Sequence, residues 1–289
     1  MSLRPRNEHL LESLTPFLVA RVENRARFEL RPFDLVFEDV HCFDPLRTDA
    51  ARFLDLLCHL DVVAFGAHGM AMPRWIFFDG GELSGGIVGF GRRALALTHE
   101  ARALLHVPDG YRGLVPLSMF IAIPTFDRST WVGHNLASLA GRVAGEDLRG
   151  LGGLTKAVAL KTFRSRSQIG VAQWNNVAMH VHTRMGPLRV LTAWTPAHTK
   201  PWTVTYRADV DDAALRHLAR DPEGALRHLA RDPEGRIATP ATELWLDSRD
   251  HSAMRALQQR IESGERFHIV GRPEPLEGGG QRLPLGGES

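Results

Sequence analysis

Lysine is the scarcest charged side chain in this sequence, and its chemistry differs from that of arginine. The chain has 35 lysine and arginine residues, and the lysines among them are Lys156, Lys161 and Lys200. Arginine stays protonated in proteins, whereas a desolvated lysine amine can lose its proton and attack a carbonyl carbon to form a Schiff base. Lys156 follows a Gly-rich turn and opens the apolar run KAVALKTF, which predicts a buried strand and a lowered amine pKa. The sequence therefore predicts Lys156 as a nucleophile, with a surface lysine at a strand start as the alternative.

Four further polar side chains are candidates for binding a substrate. His180 and His182 in HVH would share one face of a strand, because side chains alternate along it. Two imidazoles can begin a metal site, but a third ligand would have to come from elsewhere, so we expect no metal and interpret the pair as half-buried polar groups. His134 and Asn135 in WVGHNL could orient a substrate. No serine lies in a G-x-S-x-G context, and RGLGG at 149–153 fits neither nucleotide phosphate-loop pattern.

The elements that must position these residues are mostly short strands. Alternating or apolar runs predict strands at 33–43, 73–93 (a pair around a Gly-rich turn), 113–124, 130–139, 156–163, 168–174, 177–184, 187–194, 202–210, 241–248 and 266–271. Helical spacing predicts helices in 1–30, interrupted at Pro16, and at 49–60 and 252–264. Closing such a sheet removes its exposed edges. We therefore predict an α+β, β-rich fold with a closed antiparallel barrel or cone-like sheet and peripheral helices.

The 289 residues are consistent with a single large domain. We expect a helical extension at 1–27, a β-rich domain at 28–271 and a disordered tail at 272–289, which is rich in Pro and Gly. The undecamer ALRHLARDPEG occurs at 214–224 and again at 225–235, which suggests a duplicated helical insert on the surface.

Composition excludes several classes of protein. There is no apolar stretch of about 18 residues and no apolar N-terminal signal segment, so no membrane association is expected. Two cysteines, Cys42 and Cys58, are too few for a disulfide framework or a structural zinc site. These features favour the cytoplasm. The net charge is +2 and the basic residues are scattered, which argues against a nucleic-acid partner.

The chain resembles the acetoacetate decarboxylase family, weakly in any one segment but colinearly over roughly residues 25–270. FELRPFDLVF (28–37) resembles the family's Arg-bearing strand, and GLTKAVALKTF (153–163) resembles its Gly-x-Pro-Lys segment. The resemblance implies a Schiff base at Lys156, a substrate carboxylate held by Arg31, no cofactor and a homo-oligomer. It also implies a lyase that acts on a β-keto acid or a related small carbonyl or carboxylate compound.

Three positions depart from the pattern of that family. Thr155 stands where the family has Pro, Ala157 where it has a second lysine, and Arg92 where a glutamate is expected. Desolvation, Arg92 or Lys161 would therefore have to lower the pKa of the Lys156 amine. The chemistry could then be decarboxylation or another imine reaction, and a non-catalytic small-molecule binder of the same fold is a further alternative.

A rival resemblance is to the GNAT-type acyltransferases, which use acyl-CoA. NNVAMHVHTRMG (175–186) matches the pattern Asn-x-x-Ala-x-x-x-Tyr-x-x-x-Gly, with His182 in place of Tyr. This resemblance makes RGLGG a degenerate pyrophosphate loop whose backbone N–H groups open a helix, with Leu154 in place of its second glycine. It also makes 175–186 a helix that ends at Gly186 and Pro187, and it leaves residues 211–289 without a counterpart.

Overall fold

The structure is a computed structural model that describes residues 4–82, 85–212, 215, 218–219 and 241–288. Most of the duplicated segment at 214–235 lies outside these described residues. The chain divides into two compact units, one from residues 1–165 with 218–221 and the other from 166–217 with 222–289. The boundary at 165/166 falls inside the region for which the sequence suggested one domain.

The first unit combines strands with helices and short 3-10 turns. Its strands are β1 (Thr15–Val19), β2 (Cys42–Phe43), β3 (Gly86–Arg93), β4 (Leu114–Pro124) and β5 (Thr130–Ser138). Its helices are α1 (Arg4–Leu11), α2 (Ala51–Phe65), α3 (Arg74–Glu82), α4 (His99–Leu104) and α5 (Leu151–Thr162). The 3-10 turns are Val22–Arg27, Pro32–Asp34, Asp39–His41, Thr48–Ala50, Gly66–His68 and Ala94–Ala96.

The strands of the first unit lie in the order β5-β4-β3-β1-β2, antiparallel except for the parallel pair β1–β2. Nine residues of β4 are buried, because helices cover both sheet faces. Phe17, Gly89 and Met119 form one cross-strand row. This row faces α2, since the Phe17 ring meets the Phe53 ring of α2 edge-on with centroids 4.8 Å apart. Ser118 precedes Met119 and so points to the opposite face, where α5 packs.

Several segments of the first unit differ from prediction. Residues 156–163, predicted as a strand, lie in α5 and just after it, and 74–82 form helix α3. The expected strand at 33–43 consists mainly of turns, and β1 replaces the second half of the predicted N-terminal helix. The α5 sequence is apolar around most of its circumference, and a short run of that kind does not distinguish a buried helix from a buried strand.

The second unit combines antiparallel strands with helices. Its strands are β6 (Ser167–Gln173), β7 (Leu188–Thr192), β8 (Thr203–Asp209), β9 (Leu244–Asp247), β10 (Phe267–Ile269), β11 (Glu274–Pro275) and β12 (Gln281–Gly287). Its helices are α6 (Met179–His182), continued by the 3-10 turn Thr183–Met185, and α7 (His251–Glu262). The strand order is β6-β8-β7-β10-β12-β11, and β9 also pairs with β12.

Strand β12 lies where the composition predicted a disordered tail. Leu283 and Leu285 are wholly buried, and β12 pairs with β9, β10 and β11. Burial of leucines at alternate positions and pairing of the backbone order this segment, despite its content of Pro and Gly. The strand expected at 177–184 is replaced by α6 and its 3-10 continuation.

The predicted closed antiparallel barrel or cone is wrong. The fold is α+β with mixed strand pairing, and the described residues contain twelve strands. The strand order is open in each unit, and no pairing among the described strands closes it. Four segments predicted as strands or parts of strands form helices or turns instead. In the first unit, helices cover the apolar sheet faces that closure would otherwise have buried.

Candidate functional site

Helix α5 places Lys156 in the interior of the first unit. Ten of the twelve residues of α5 are buried, and Lys156 is 0% exposed. Desolvation lowers the pKa of its amine from 10.5 to about 7. A substantial fraction of the amine is therefore neutral at pH 7, which is the form that could act as a nucleophile.

The two basic residues predicted to lower the pKa of this amine are Lys161 and Arg92. Lys161 lies about 140° around the helix from Lys156, because successive residues are about 100° apart. Arg92 of β3 forms a salt bridge with Glu146, whose side chain is 4% exposed. The Arg92 Nε also donates to the backbone oxygen of Ser13 at 3.2 Å. Arg92 is thus a structural residue here, and the lowered pKa of Lys156 arises from burial.

Arg31, the predicted carboxylate ligand, is exposed and lies near the far end of α5. Its backbone N–H donates to the Glu29 carboxylate at 3.1 Å, and the Glu29 N–H donates to the Thr162 oxygen at 2.7 Å. Thr162 is about 9 Å along the helix axis from Lys156, at about 1.5 Å per residue. The structure therefore does not bring the backbone of Arg31 close to the amine.

The first turn of α5 has no conventional cap. Gly150 precedes it with a φ of 82°, a left-handed conformation that glycine adopts without strain. Among the described residues no side chain caps this turn, and it contains no acidic residue. By contrast, Thr98 caps α4 and Asp250 caps α7 through side-chain oxygens. The Leu151 N–H donates to the Leu148 oxygen at 3.1 Å, so the positive partial charge of this helix end is carried by the N–H groups of Gly152 and Gly153, which no described side chain caps.

Gly152 is the accessible position of this first turn. It is half-exposed, and a Cβ added there would meet the Ser138 Cβ at 3.8 Å, an ordinary contact. The end of β5 thus lies directly beside the first turn of α5. The neighbouring Arg149 donates to Asp147 at 2.9 Å, which lowers the pKa of that exposed carboxyl to about 2.

The buried hydroxyl groups of Ser118 and Thr155 connect α5 to the sheet. The Phe90 N–H donates to Ser118 Oγ at 3.2 Å, and Thr155 Oγ1 donates to the Leu151 oxygen at 2.7 Å. Ser118 Oγ and Thr155 Oγ1 are 2.6 Å apart. Because the Thr155 proton is directed to Leu151, Ser118 is the donor in this contact. These hydrogen bonds hold the first turn of α5 at a defined height above β3 and β4.

Strand β5 contains a bulge at the two residues predicted to orient a substrate. His134 and Asn135 together oppose Ile121 of β4, because the register shifts between Ala122–Gly133 and the next pair. His134 is exposed and Asn135 is half-buried. Bulges are frequent next to active sites, where they redirect side chains.

Asn135 is held by a buried acid that the sequence analysis missed. Its Nδ2 donates to Asp61 Oδ1 at 2.6 Å, and the Met72 N–H donates to Asp61 Oδ2 at 2.6 Å. Asp61 is 0% exposed, and burial raises the pKa of its carboxyl, although these two hydrogen bonds oppose the rise. The sequence indicates a buried acid here, because Asp61 is a lone acidic residue within the apolar segment LLCHLDVVAF of α2.

His180 and His182 do not share a face. They lie on α6, where residues two apart are about 200° apart around the axis. The His182 ring is buried, 5.3 Å from the ring of Tyr206, whereas His180 is half-buried with a pKa lowered by desolvation. Within the described ranges, no group of three or more metal-ligating side chains is present.

One local expectation of the acyltransferase resemblance is met and the other only in part, because the helix expected at 175–186 consists of the four-residue α6 and the 3-10 turn after it. RGLGG opens a helix at Leu151, and the helical segment that contains His182 ends at Met185, before Gly186 with its φ of 123°. The strand expected for KAVALKTF under the decarboxylase resemblance is a helix.

Comparison with protein-family models gives no match, and comparison with curated proteins gives none either. Among the described residues, no helix has both the length and the apolar character needed to cross a membrane.

Proposed function

We propose that this chain is an acyl-CoA-dependent acyltransferase that holds the pyrophosphate of its acyl-CoA at the first turn of α5. The observation that carries the proposal is the uncapped, Gly-rich start of this helix beside the end of β5. Helix N-termini bind phosphate groups through backbone N–H groups and the helix dipole. The half-exposed Gly152 leaves room for close approach of an anion.

The end of β5 beside α5 defines where the thioester of a bound acyl-CoA would lie. Asn135 is three residues before Ser138, so it lies about 10 Å along β5 from the first turn of α5. Alternation along β5 directs Ser138 to the α5 face of the sheet and Asn135 to the opposite face, toward α2, so a thioester that extends from the pyrophosphate site would lie on the α5 face. An acceptor nucleophile there would form a bond to the thioester carbonyl carbon as the carbon–sulfur bond breaks. The CoA thiolate then leaves and takes up the proton released by the acceptor.

Thermal-shift titration with acetyl-, hexanoyl- and decanoyl-CoA tests the proposal directly. A ligand at 100 times its Kd adds about 2.7 kcal/mol to the stability of the native state, so the midpoint should rise by several degrees. Release of the CoA thiol in the presence of an amine, detected with a thiol reagent, reports transfer. No shift with any acyl-CoA contradicts the proposal. A shift without turnover for any acceptor supports a non-catalytic binder instead.

A matched pair of variants at Gly152 localises the pyrophosphate. Gly152→Asp introduces a carboxylate at the first turn, where it should stabilise the helix by about 0.3–1 kcal/mol and repel the pyrophosphate. Gly152→Asn has nearly the same shape without the charge. We expect acyl-CoA affinity at least tenfold lower for the Asp variant than for the Asn variant. Equal affinities would place the pyrophosphate elsewhere.

A second candidate function is Schiff-base chemistry at Lys156, favoured by its complete burial and its pKa of about 7. The substrate would be a small carbonyl or carboxylate compound, as the decarboxylase resemblance implies. Against it stand the helical setting of the lysine and the engagement of Arg92 with Glu146. Acyl-CoA binding at α5 does not require this amine to react.

Reductive trapping decides this second candidate. The protein is incubated with acetoacetate and borohydride, and its intact mass is measured. A mass adduct that is lost in Lys156→Ala but kept in Lys161→Ala would support a Schiff base. An unchanged mass, or an adduct that persists in Lys156→Ala, removes the candidate. The homo-oligomer and the cytoplasmic location remain predictions from the sequence.

A further inference from the structure

Two arginines lie directly opposite each other on neighbouring strands of the second unit. Arg189 of β7 and Arg207 of β8 are Cα partners in the antiparallel ladder, and both side chains are exposed. The adjacent residues Leu188, Val190 and Tyr206 are buried, so the two guanidinium groups project from the exposed face of the sheet. Like charges at directly opposite positions destabilise a strand pair. The stability of the sheet therefore does not account for this arginine pair.

The arginine pair is not neutralised by the acids of the same face. Among the described residues, neither guanidinium group forms a hydrogen bond or an ion pair. His268 of β10 lies opposite Arg189, and its Nε2 is 3.4 Å from Glu288 Oε1, so that carboxylate is engaged elsewhere. Asp209, two residues beyond Arg207 on the same strand face, forms no salt bridge within the described ranges. Two positive charges are thus held close together and open to an anion from solution.

We propose that Arg189 and Arg207 form a binding site for a phosphate monoester that carries an apolar group beside its phosphate. Cβ atoms at directly opposite positions are about 4.5–5.5 Å apart, so both long side chains can converge on one anion. A phosphate monoester has a charge of about −1.5 to −2 at pH 7 and three acceptor oxygens, which matches two guanidinium groups. A carboxylate, with one charge, would leave one guanidinium group unneutralised. The site lies within the second unit and does not depend on the proposed acyl transfer.

The strand next to the arginine pair supplies the apolar part of the site. Ile169 of β6 is the Cα partner of Arg207 and is half-exposed. Val171, two residues further along the same strand face, is 45% exposed. An apolar group attached to the bound phosphate would cover these two side chains and remove their surface from water. Charge thus selects the phosphate, and apolar contact selects what is attached to it.

Calorimetric titration of the whole chain at pH 8 tests this inference. The ligands are phenyl phosphate, inorganic phosphate and phenyl sulfate, which has nearly the shape of phenyl phosphate but a single charge. We expect phenyl phosphate to bind at least fivefold more tightly than either of the others. Arg189→Gln and Arg207→Gln should each weaken its binding at least fivefold. Arg282→Gln is the matched control and should bind as the wild type does, because Arg282 of β12 already forms a salt bridge with Glu274 at 2.6 Å.

Thermal unfolding in phosphate-free buffer separates binding from structure. Because each substitution removes like-charge repulsion, Arg189→Gln and Arg207→Gln should unfold at or above the midpoint of wild type. The inference is overturned if the wild type shows no saturable binding of phenyl phosphate, if it binds phenyl sulfate or inorganic phosphate equally well, or if neither variant weakens binding. An equal loss of binding in Arg282→Gln would show a general effect of charge and also overturn it. So would a lowered midpoint in both variants of the pair, since that indicates a structural role.

The phosphate monoester could belong to a small molecule or to a phosphorylated protein, and a peptide arm of the titration distinguishes these sources. The peptide Gly-phosphotyrosine-Gly carries the same phenyl phosphate group within a polypeptide. At least tenfold tighter binding of the peptide than of phenyl phosphate would identify a phosphorylated protein as the source. Equal or weaker binding would identify a small phosphate ester. Either result supports the site when both variants of the arginine pair weaken it.

Discussion

Replacing Lys156 by methionine should remove most of one pH-dependent contribution to stability. The folded chain lowers the pKa of this amine from 10.5 to about 7, so between these values the unfolded state binds more protons. Stability then rises with pH by up to about 1.4 kcal/mol per pH unit in that window. The contribution is complete above the unfolded pKa and is lost as pH falls toward 7.

The size of the effect follows from the same two pKa values. Relative to an amine that keeps its ordinary pKa, the buried amine costs about 4 kcal/mol at pH 7 and about 1 kcal/mol at pH 10. Methionine has a similar length and no charge. The stability of Lys156→Met minus that of wild type should therefore fall by about 3 kcal/mol between pH 7 and pH 10.

Urea unfolding at pH 7, 8, 9 and 10, followed by fluorescence, measures this difference. Other titrating groups act equally in both proteins and cancel in the subtraction. Lys161→Met is the matched control, because Lys161 is half-exposed near the end of the same helix, and it should leave the pH dependence of wild type in place. A difference between Lys156→Met and wild type that is constant from pH 7 to pH 10 would refute the reasoning.

Three further predictions concern packing and capping, each measured by denaturant unfolding. Arg92→Ala should cost about 3 kcal/mol, because it leaves the Glu146 carboxylate buried without its cation, and adding Glu146→Gln should recover part of that loss. Asp250→Ala should lower the free energy of unfolding by about 1 kcal/mol, because it removes the cap of α7. An unchanged free energy of unfolding would mean that the cap does not contribute to stability. Gly170→Ala should cost about 1–3 kcal/mol, since its Cβ would lie 2.2 Å from Tyr206 Oη, and a neutral result would show that the ring has room to move.

Elements with one apolar face are the ones that the sequence predicts well. Helices α2 and α7 bury one face and expose the other, so their spacing carries the signal of a helix. Helix α5 is buried over nearly its whole circumference, and its sequence has no polar face to reveal the period. The residues of β12 were misjudged because local composition does not report strand pairing.

The candidate site was predictable only in part, for a related reason. Burial of Lys156 follows from the apolar residues around it in the sequence, and the structure places it in the interior. The Asp61–Asn135 and Arg92–Glu146 contacts join residues 74 and 54 positions apart. No periodicity links such pairs, so the roles of Asp61 and Glu146 emerge only when the sheet brings α2 to β5 and the loop before α5 to β3.

Strand β12 pairs with three other strands, which makes the second unit a candidate for strand complementation in trans. Its backbone pairs with β9 along one edge and with β10 and β11 along the other, while Leu283 and Leu285 fill the interior. A chain shortened to residue 280 would lose one shared partner of three strands at once. A synthetic peptide with the sequence of 281–288 could pair with those strand edges and fill the two leucine sites. This offers a route to a split form of the protein whose assembly is controlled by added peptide.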